Sequence, residues 1–534
     1  MTPIDAPNSP ALDQDQAIAK FRELQSKLRG VWQGIQSSPH WDHTSVVVPS
    51  LSFDQEELSK IQGVPFYEER LLFTLMRLRH PGAHIIYVTS QPIHPDIVDY
   101  YLHLLVGVPA SHARKRLALF CVYDAAPEPL SRKIFERPRL VERIRSWIGD
   151  PGRAYLTCFN SSIWERKLAV ALGIPLNGLD PDLLPHGTKT GSRRLFAEAG
   201  VPAPVGFEAL HQHAEILEAL DELSRRRPGL RRAVLKLDES FSGAGNATFT
   251  YPETLPASRA ARIGALERAL EGIEFSSAAE NAEWYFRKFS EMGGIVEEFL
   301  EAPEVRSPSA QVRIHPDGSC ELLSTHEQLL GGRTGQVYLG CRFPAHDDYR
   351  AILQEDALKV AGALAAKGVV SRLGVDFMVT RRPGQDWQRH AIEINLRMGG
   401  TTHPFMALQF LTGGRLDVRT GQFVSPRGQR KFYVATDGLH SPAYKGLLAE
   451  DLMEILSRHG LHFRPSTETG VLFHMIGALS EFGKVGVTCF GNSPEEADQI
   501  YRWTVETLDR ETGAQSGSGG RMETMHDQAL PRME

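Results

Sequence analysis

Short apolar runs alternate with segments of helical spacing in the first third of the chain. The runs SVVVP (45–49) and HIIYVT (84–89) predict buried strands, and each is followed by a segment with helical periodicity. This alternation predicts an α/β domain over residues 1–184. The first strand continues into PSLSFDQ and not into GxGxxG, so the glycines of a dinucleotide site are missing there.

Strand and helix patterns mix over residues 185–430. Thr188 and Lys189 predict the start of a helix that Gly200 ends, and apolar strands such as AVLKL (233–237), ATFTY (247–251) and GIVEEFL (294–300) follow. Residues 431–511 alternate as strand, helix, strand, strand and helix, with VLFHMIGAL (471–479) as one strand, and this order predicts a small α+β domain. The Gly/Ser-rich segment 512–534 predicts a disordered tail. The predicted fold class is therefore multidomain, combining α/β and α+β units.

Composition narrows the class of protein. The 534 residues are 42% hydrophobic and 23% charged, which is typical of a globular protein. The N-terminal segment MTPIDAPNSPALDQDQ is polar and acidic and lacks the basic and apolar regions of a signal peptide, so we expect the protein to stay in the cytoplasm. No apolar run is long enough to span a membrane, and a net charge of -6 disfavours a nucleic-acid partner. The five cysteines are odd in number and contain no CxxC pair, so they predict neither a disulfide framework nor a thiolate zinc site.

The strongest local motif is a strand that carries Lys236 and runs into a glycine-containing loop. The loop consists of Ser242, Gly243, Ala244, Gly245 and Asn246, and a second strand follows it. A Walker A loop opens a helix, whereas a loop between two strands can lay its backbone N–H groups over phosphate. We expect Lys236 to be an exposed strand lysine that binds phosphate oxygens and contributes little to stability. A plain glycine hairpin with a solvated lysine fits this motif equally well.

A second motif is the pair of strands GVDFMV (374–379) and AIEIN (391–395). A hairpin centred between Gly384 and Gln385 would place Asp376 opposite Glu393, with Asn395 on the same face. Converging carboxylates repel each other unless a cation lies between them, and oxygen ligands of this kind suit Mg²⁺ or Mn²⁺. Arg397 would reach the same cleft and neutralise charge on a transferred phosphoryl group. The alternative is a solvent-facing hairpin with unrelated charges.

A third motif, GIVEEFLEAPE (294–304), is weaker. It could bind adenine through the backbone near Glu297, Glu298 and Leu300, and ribose through Glu304, but a charged edge strand explains it equally well.

Together these motifs resemble the ATP-grasp superfamily over residues 185–410. Lys189, Lys236, SGAGN, EEFLEAPE, GVDFMV and EINLR occur in the order and spacing of that family. The resemblance implies that Lys189 and Lys236 bind phosphates, that the hinge at residues 297–304 binds adenine and ribose, and that the metal ligands are Asp376, Glu393 and Asn395. The segments EINLRMGGTTHPF and GQVYLGCRFPA are similar to the pheganomycin-type peptide ligases. Thr402 stands where biotin carboxylases have an acidic residue, which disfavours bicarbonate activation.

The sequence therefore predicts an ATP-dependent carboxylate–amine ligase that forms an acyl phosphate, with Arg397 and Lys236 as catalytic residues. Its substrates are expected to be small-molecule or peptide carboxylates and amines, and a homodimer is compatible with the sequence. Two alternatives stay open, namely a phosphotransferase acting on an alcohol and a non-catalytic regulatory protein that binds nucleotide.

Overall fold

The structure is a computed structural model, and it describes residues 14–53, 58, 61–240, 245–277, 280–331 and 337–513. Three of the predicted phosphate-binding residues, Ser242, Gly243 and Ala244, lie outside the described residues. The same is true of residues 514–534, which make up nearly all of the predicted tail. In the described ranges, no helix has both the length and the apolar character needed to cross a membrane.

The first unit is a parallel α/β layer, as the alternation of apolar runs predicts. The predicted runs at 45–49 and 84–89 are adjacent strands in the order β3-β2-β1-β4, and β1 is buried along its whole length. The strands are β1 (His43–Val48), β2 (Ala83–Thr89), β3 (Leu117–Cys121) and β4 (Ala154–Cys158). The helices are α1 (Gln14–Ser37), α2 (Pro95–His103), α3 (Ala110–Arg114), α4 (Leu130–Phe135), α5 (Pro138–Ile148) and α6 (Ile163–Leu172), with 3-10 segments at Val64–Arg79, Pro151–Arg153 and Pro181–Gly187.

An antiparallel sheet of five strands forms the second unit, in the order β5-β9-β6-β7-β8. Its strands are β5 (Gly206–Leu210), β6 (Arg232–Leu237), β7 (Asn246–Thr250), β8 (Glu274–Phe275) and β9 (Gly294–Glu298). The helices are α7 (Lys189–Ala199), α8 (His213–Arg226), α9 (Arg259–Leu270) and α10 (Ala282–Met292). Helix α7 begins and ends as predicted, because the Thr188 hydroxyl accepts the Gly191 N–H at 2.9 Å and Gly200 adopts a φ of +66°.

A nine-stranded sheet forms the largest layer, in which eight strands follow the order β10-β14-β11-β12-β13-β18-β20-β19 and β15 pairs with β14. Its first strands are β10 (Glu304–Arg306), β11 (Pro308–Ile314), β12 (Cys320–Gly331), β13 (Val337–Phe343), β14 (Ser371–Arg381) and β15 (Gln388–Asn395). After the separate strand pair β16 (Arg415–Asp417) and β17 (Gln422–Val424), the sheet gains β18 (Phe432–His440), β19 (Gly470–His474) and β20 (Lys484–Gly491). The helices here are α11 (Asp347–Ala366), α12 (Thr402–Thr412), α13 (Ala449–His459), α14 (Ala478–Phe482) and α15 (Pro494–Thr512), with a 3-10 turn at Pro442–Tyr444.

The C-terminal strands continue this sheet without a break. Ala435 of β18 pairs with Cys341 of β13, on the other side of the predicted domain boundary at residue 430. One buried apolar cluster also contains Leu72 from the first unit, Phe405 from α12 and Leu472 from β19. The predicted domain boundaries therefore stay a prediction. Residues of all three predicted units pack together in this one hydrophobic core.

Candidate functional site

The hairpin of β14 and β15 brings Asp376 and Glu393 directly opposite each other. Its turn is centred on Gly384, which has a φ of +75°, half a residue before the predicted centre. A bulge between Asp376 and Phe377 leaves Ile392 as an extra residue on β15, and this shift produces the predicted opposition. The hairpin therefore has one register at its turn and another at its open end, where the polar residues lie.

Amide groups hold the two carboxylates of this hairpin in place. The Asn395 Nδ2 donates to Asp376 Oδ2 at 2.9 Å and to Glu393 Oε1 at 3.1 Å. From β12, the Gln328 Nε2 donates to Asp376 Oδ1 at 2.9 Å. Ser309 of β11 pairs with Asp376 across the sheet, and its buried hydroxyl oxygen has no hydrogen-bond partner among the described residues. The open end of the hairpin is thus a half-buried polar centre.

The electrostatics of this centre favour a cation. Burial, together with the charge of Glu393, raises the pKa of Asp376 well above its usual range. Burial also raises the pKa of Glu393, but the charges of Lys189, Lys236 and Arg397 outweigh that effect and lower it overall. No group of three or more His, Cys, Asp or Glu side chains with the geometry of a metal site occurs in the described ranges. The donor set here is two carboxylates and one carboxamide.

Two buried lysines face this centre. Lys189, the first residue of α7, forms an ion pair with Glu393, and its side chain is 8% exposed. The Lys236 Nζ lies 2.5 Å from Glu297 Oε1, with side chains 8% and 3% exposed. The expectation of an exposed Lys236 was wrong. Glu297 lies on β9, the neighbouring strand, and on the same sheet face, where it covers and neutralises the ammonium.

The described end of the glycine loop has the geometry of a tight turn. Gly245 adopts a φ of +73°, which a residue with a side chain rarely does, and its N–H donates to Glu280 Oε1 at 3.0 Å. Asn246 then begins β7 directly opposite Lys236. The order of strand, loop and strand that the sequence predicts is therefore present.

The acidic side chains of the hinge are already held by protein groups. Glu297 also accepts a bond from Arg193 Nη1 at 2.9 Å. Glu298 accepts the Val205 N–H at 2.8 Å and forms an ion pair with Arg227 at 2.8 Å. These contacts hold both carboxylates, and the Glu298 and Phe299 N–H groups also donate to backbone oxygens of Val205 and Arg232.

Beyond the hinge, Leu300 and Glu304 have different surroundings. Strand β9 ends at Glu298, so Leu300 lies in the following connection, and its N–H makes no backbone hydrogen bond within the described part of the chain. Glu304 accepts two bonds from Arg381, at 2.9 and 2.7 Å. The Arg381 contact lowers the pKa of Glu304, which stays a charged carboxylate.

Arg397 follows β15 and lies over the ring of Phe53, with its Cζ 5.1 Å from the ring centroid. Burial lowers its pKa, and the charges of Glu393 and Asp376 oppose that shift. The guanidinium therefore lies beside the carboxylate pair, in a position to contact an anion bound there.

Several polar residues of this region have no sequence motif. Arg70 lies over the ring of Phe159 and forms an ion pair with Asp437 at 3.1 Å, and Asp437 contacts His474 at 2.7 Å. Gln328 belongs with them, since it contacts Asp376 from a different strand. These groups come from distant parts of the chain, so no local spacing could have predicted their meeting.

Comparison with known proteins agrees with this geometry. The family model described as IQCH-like, ATP-grasp matches residues 184–263 and 272–419, and a model of the PGM1 C-terminal domain matches residues 451–504. In solved structures, the chain is similar to the biotin carboxylase of Campylobacter jejuni, with a TM-score of 0.52 and 13% identity over 88% of this chain and 94% of that one. An N5-carboxyaminoimidazole ribonucleotide synthetase gives a TM-score of 0.50 and 12% identity over 88% of this chain and 97% of that one. At these identities the likeness concerns the fold.

Two curated relatives give closer sequence matches. The IQ motif-containing protein H of Danio rerio is 23% identical over 77% of this chain and 42% of its own length. The L-propargylglycine–L-glutamate ligase of Streptantibioticus cattleyicolor is 31% identical over 467 residues, which cover 86% of this chain and 92% of that protein. This match extends over all three predicted units, and the chain belongs to the ATP-grasp carboxylate–amine ligases.

Proposed function

We propose that this chain joins the carboxylate of one amino acid or short peptide to the amine of another, and that ATP is consumed as ADP and phosphate. The observation that carries the proposal is the meeting of Asp376, Glu393 and Asn395 with a buried lysine and Arg397. The 31% identical relative supports amino acids as the substrate class, because its name contains two of them.

The two buried lysines are proposed to bind the phosphates of ATP. Each ammonium now pairs with a carboxylate, Lys189 with Glu393 and Lys236 with Glu297. An ammonium group has three donors, so each lysine can bind a phosphate oxygen while it keeps its carboxylate partner. The loop between β6 and β7 is proposed to cover the phosphates through Ser242, Gly243, Ala244, Gly245 and Asn246. The Gly245 N–H would have to leave its bond to Glu280 in order to contact phosphate.

Asp376, Glu393 and Asn395 are proposed to hold Mg²⁺ or Mn²⁺. The residues fit a hard cation, because two carboxylates lie within reach of one amide and burial makes the second negative charge costly. Asn395 now donates its NH₂ group to both carboxylates, so its amide would have to turn its oxygen toward the ion. When bound, the cation would neutralise phosphate charge and orient the terminal phosphate.

Arg397 and Lys236 are the proposed catalytic residues. The substrate carboxylate would attack the γ-phosphorus of ATP to give an acyl phosphate and ADP, and the amine would then displace phosphate from the acyl carbon. Arg397 would neutralise the charge that develops on the phosphoryl oxygens, and Lys236 would hold the phosphates in line. The chain contributes positioning, charge neutralisation and exclusion of water, and no protein nucleophile is needed.

The hinge is proposed to bind the nucleoside. The side chains of Glu297 and Glu298 are engaged with arginines, so adenine would contact the backbone from these residues to Leu300. Glu304 would accept the ribose hydroxyls while it keeps its contact with Arg381, because a carboxylate has more than two acceptor positions.

Two other functions make different predictions. A phosphotransferase acting on an alcohol would use the same phosphate site and release a stable phosphate ester. A regulatory protein that only binds nucleotide would not require both carboxylates of the hairpin. The ligase relative favours ligation. We also propose that the protein acts in the cytoplasm on small-molecule substrates and that it forms a homodimer.

A substrate screen tests this function. ADP release would be measured with the full chain, ATP and Mg²⁺ across pairs of amino acids and dipeptides, with mass spectrometry of the products. We expect ADP and an amide for at least one pair, and no ADP from the Asp376→Asn variant with that pair. A phosphate ester would indicate the phosphotransferase instead. ATP binding with no turnover for any pair would indicate the regulatory protein.

A further inference from the structure

A cavity of about 230 Å³ lies between α1, the 3-10 segment at Val64–Arg79 and the nine-stranded sheet. Three arginines line it, Arg77, Arg313 and Arg372, and we call it the arginine cavity. Its other walls are largely apolar, with Trp32, Phe73, Tyr155, Met398, Met406 and Phe410. Nothing in the proposed catalytic mechanism uses it.

The charges around the arginine cavity are not balanced. Glu321 is the one carboxylate in its lining, so three guanidinium groups leave two positive charges in excess. Within the described ranges none of the three arginines makes an ion pair. Arg313 donates to Asn177 Oδ1 at 2.8 Å and to His315 Nδ1 at 3.3 Å. Burial and the neighbouring arginines lower the pKa of Arg372 to about 9. The three arginines are half-buried and, among the described residues, face the cavity without a carboxylate partner, so an anion that enters the cavity can pair with them.

The arginine cavity lies on the same sheet face as the catalytic carboxylates. Arg372 of β14 pairs with Arg313 of β11, and four residues further along β14 Asp376 pairs with Ser309. Side chains an even number of residues apart share a face, so all four point to one side of the sheet. At about 3.3 Å per residue, the two pairs are roughly 13 Å apart. Gly374 lies between them, where a side chain would meet Gln311 at 2.7 Å.

A narrow gap extends from the arginine cavity to Arg397. Arg397 lines this gap, and Arg313, Arg372, Asn177 and Met398 line both the gap and the cavity. The gap has a volume of about 20 Å³, which is room for about one water molecule. Met398 is unbranched and flexible, so a rotation of its side chain can widen the gap for a chain of atoms.

The apolar walls favour an anion that carries side chains. Trp32 packs against His315 with ring centroids 5.1 Å apart, and Arg77 lies 5.6 Å from the ring centroid of Tyr155. Aromatic and thioether side chains of this kind bind apolar groups, whereas a site for a bare inorganic anion does not need them.

We propose that the arginine cavity binds the free carboxylate of the amine substrate, and that this substrate is a short peptide. This assignment rests on the proposed ligation. The reacting carboxylate must lie beside Asp376 and Arg397, so a carboxylate bound roughly 13 Å away belongs to the partner that supplies the amine. An extended peptide spans about 3.3–3.6 Å per residue, and the reach of the arginine side chains shortens the path, which fits a peptide of about two or three residues.

Binding of free and amidated peptides tests the assignment without turnover. Calorimetry with the full chain, ADP and Mg²⁺ would use a panel of dipeptides and tripeptides, each as the free acid and as the C-terminal amide. We expect at least one free acid to bind on the order of tenfold to a hundredfold more tightly than its amide, because the amide loses charge-assisted bonds to arginine. Arg372→Gln should remove this preference. The control Arg419→Gln, at a side chain 92% exposed, should keep it.

A second variant guards against a folding defect in the first. Glu321→Gln removes the one carboxylate of the cavity lining and should strengthen binding of the free acid. Equal binding of acids and amides, a preference that survives Arg372→Gln, or no binding by any peptide would overturn the assignment. The proposed ligation is tested separately, since turnover with single amino acids can occur without the peptide preference, and the preference can be present without turnover.

Discussion

Replacement of Glu393 by glutamine removes one negative charge from the centre of the site and leaves the shape of the side chain almost unchanged. Glu393 forms the ion pair with Lys189 and accepts a bond from Asn395 at 3.1 Å. Its charge also contributes to the raised pKa of Asp376. In the variant, Lys189 loses its carboxylate partner, while Asp376 ionises more readily and compensates part of that charge.

The expected cost follows from the loss of one charge at the phosphoryl group. We expect kcat for ADP formation to fall by about 10²–10³-fold, or roughly 3–4 kcal/mol of activation free energy. Binding of ADP should change much less, because the proposed adenine site is on β9 in another sheet. Steady-state ADP release gives the first quantity, and titration with a fluorescent ADP analogue gives the second.

Glu468→Gln is the matched control for this variant. Glu468 forms a buried ion pair with Lys431 at 3.2 Å, with side chains 7% and 0% exposed. Loss of this pair should lower the free energy of unfolding by about 3 kcal/mol and leave kcat unchanged. Glu393→Gln should cost less stability than this, because it also removes the repulsion with Asp376. A parental rate for Glu393→Gln, or an equal loss of activity in both variants, would mean that the charge of Glu393 does not act on the phosphoryl group.

Three further predictions concern the same site. Lys236→Ala should weaken nucleotide binding and abolish turnover, and because it leaves Glu297 buried with only Arg193, it should lower the free energy of unfolding by about 2–3 kcal/mol; denaturant unfolding at parental stability would contradict this. ATP binding should require Mg²⁺, so calorimetry that gives equal affinities in Mg²⁺ and in EDTA would oppose the metal assignment. Asp376→Asn should abolish turnover but stabilise the metal-free protein. Because the folded-state pKa of Asp376 is raised, its stabilising effect is present at low pH and lost as pH rises through that pKa. The gain in Tm over the parent, measured in EDTA, should therefore increase with pH, and a constant gain would contradict the raised pKa.

The parts of the site that could be predicted are those encoded by local spacing. The predicted hairpin centre correctly places Asp376 opposite Glu393, although it lies half a residue after Gly384, on which the turn itself is centred. The extra residue Ile392 on β15 shifts the pairing by half a residue and so offsets this difference. Bulges have no reliable sequence signal here, so a register counted from the turn is uncertain by one residue. The cap and end of α7 at Thr188 and Gly200 were predicted for a physical reason, since each satisfies a specific backbone requirement.

The parts that could not be predicted depend on contacts between distant segments. Lys236 is buried because Glu297 lies beside it on β9. The alternation of the sequence predicts which sheet face carries Lys236, but it does not predict which residue of another strand covers that side chain. The single strand predicted at residues 471–479 ends at His474, because Met475 adopts a left-handed φ of +52° and a helix begins at Ala478. Likewise, no local pattern shows that β18 pairs with β13, so the C-terminal segment was predicted as a separate unit.

Transfer of the γ-phosphoryl group of ATP to a carboxylate is the reaction proposed for this site. Hydroxylamine in place of the amine substrate tests it most directly, because hydroxylamine traps an acyl phosphate as a hydroxamate. With the carboxylate substrate found by screening, we predict equal amounts of hydroxamate, ADP and phosphate, and loss of all three in Glu393→Gln. Release of AMP and pyrophosphate, or ADP formation with a phosphate ester and no hydroxamate, would exclude an acyl phosphate intermediate.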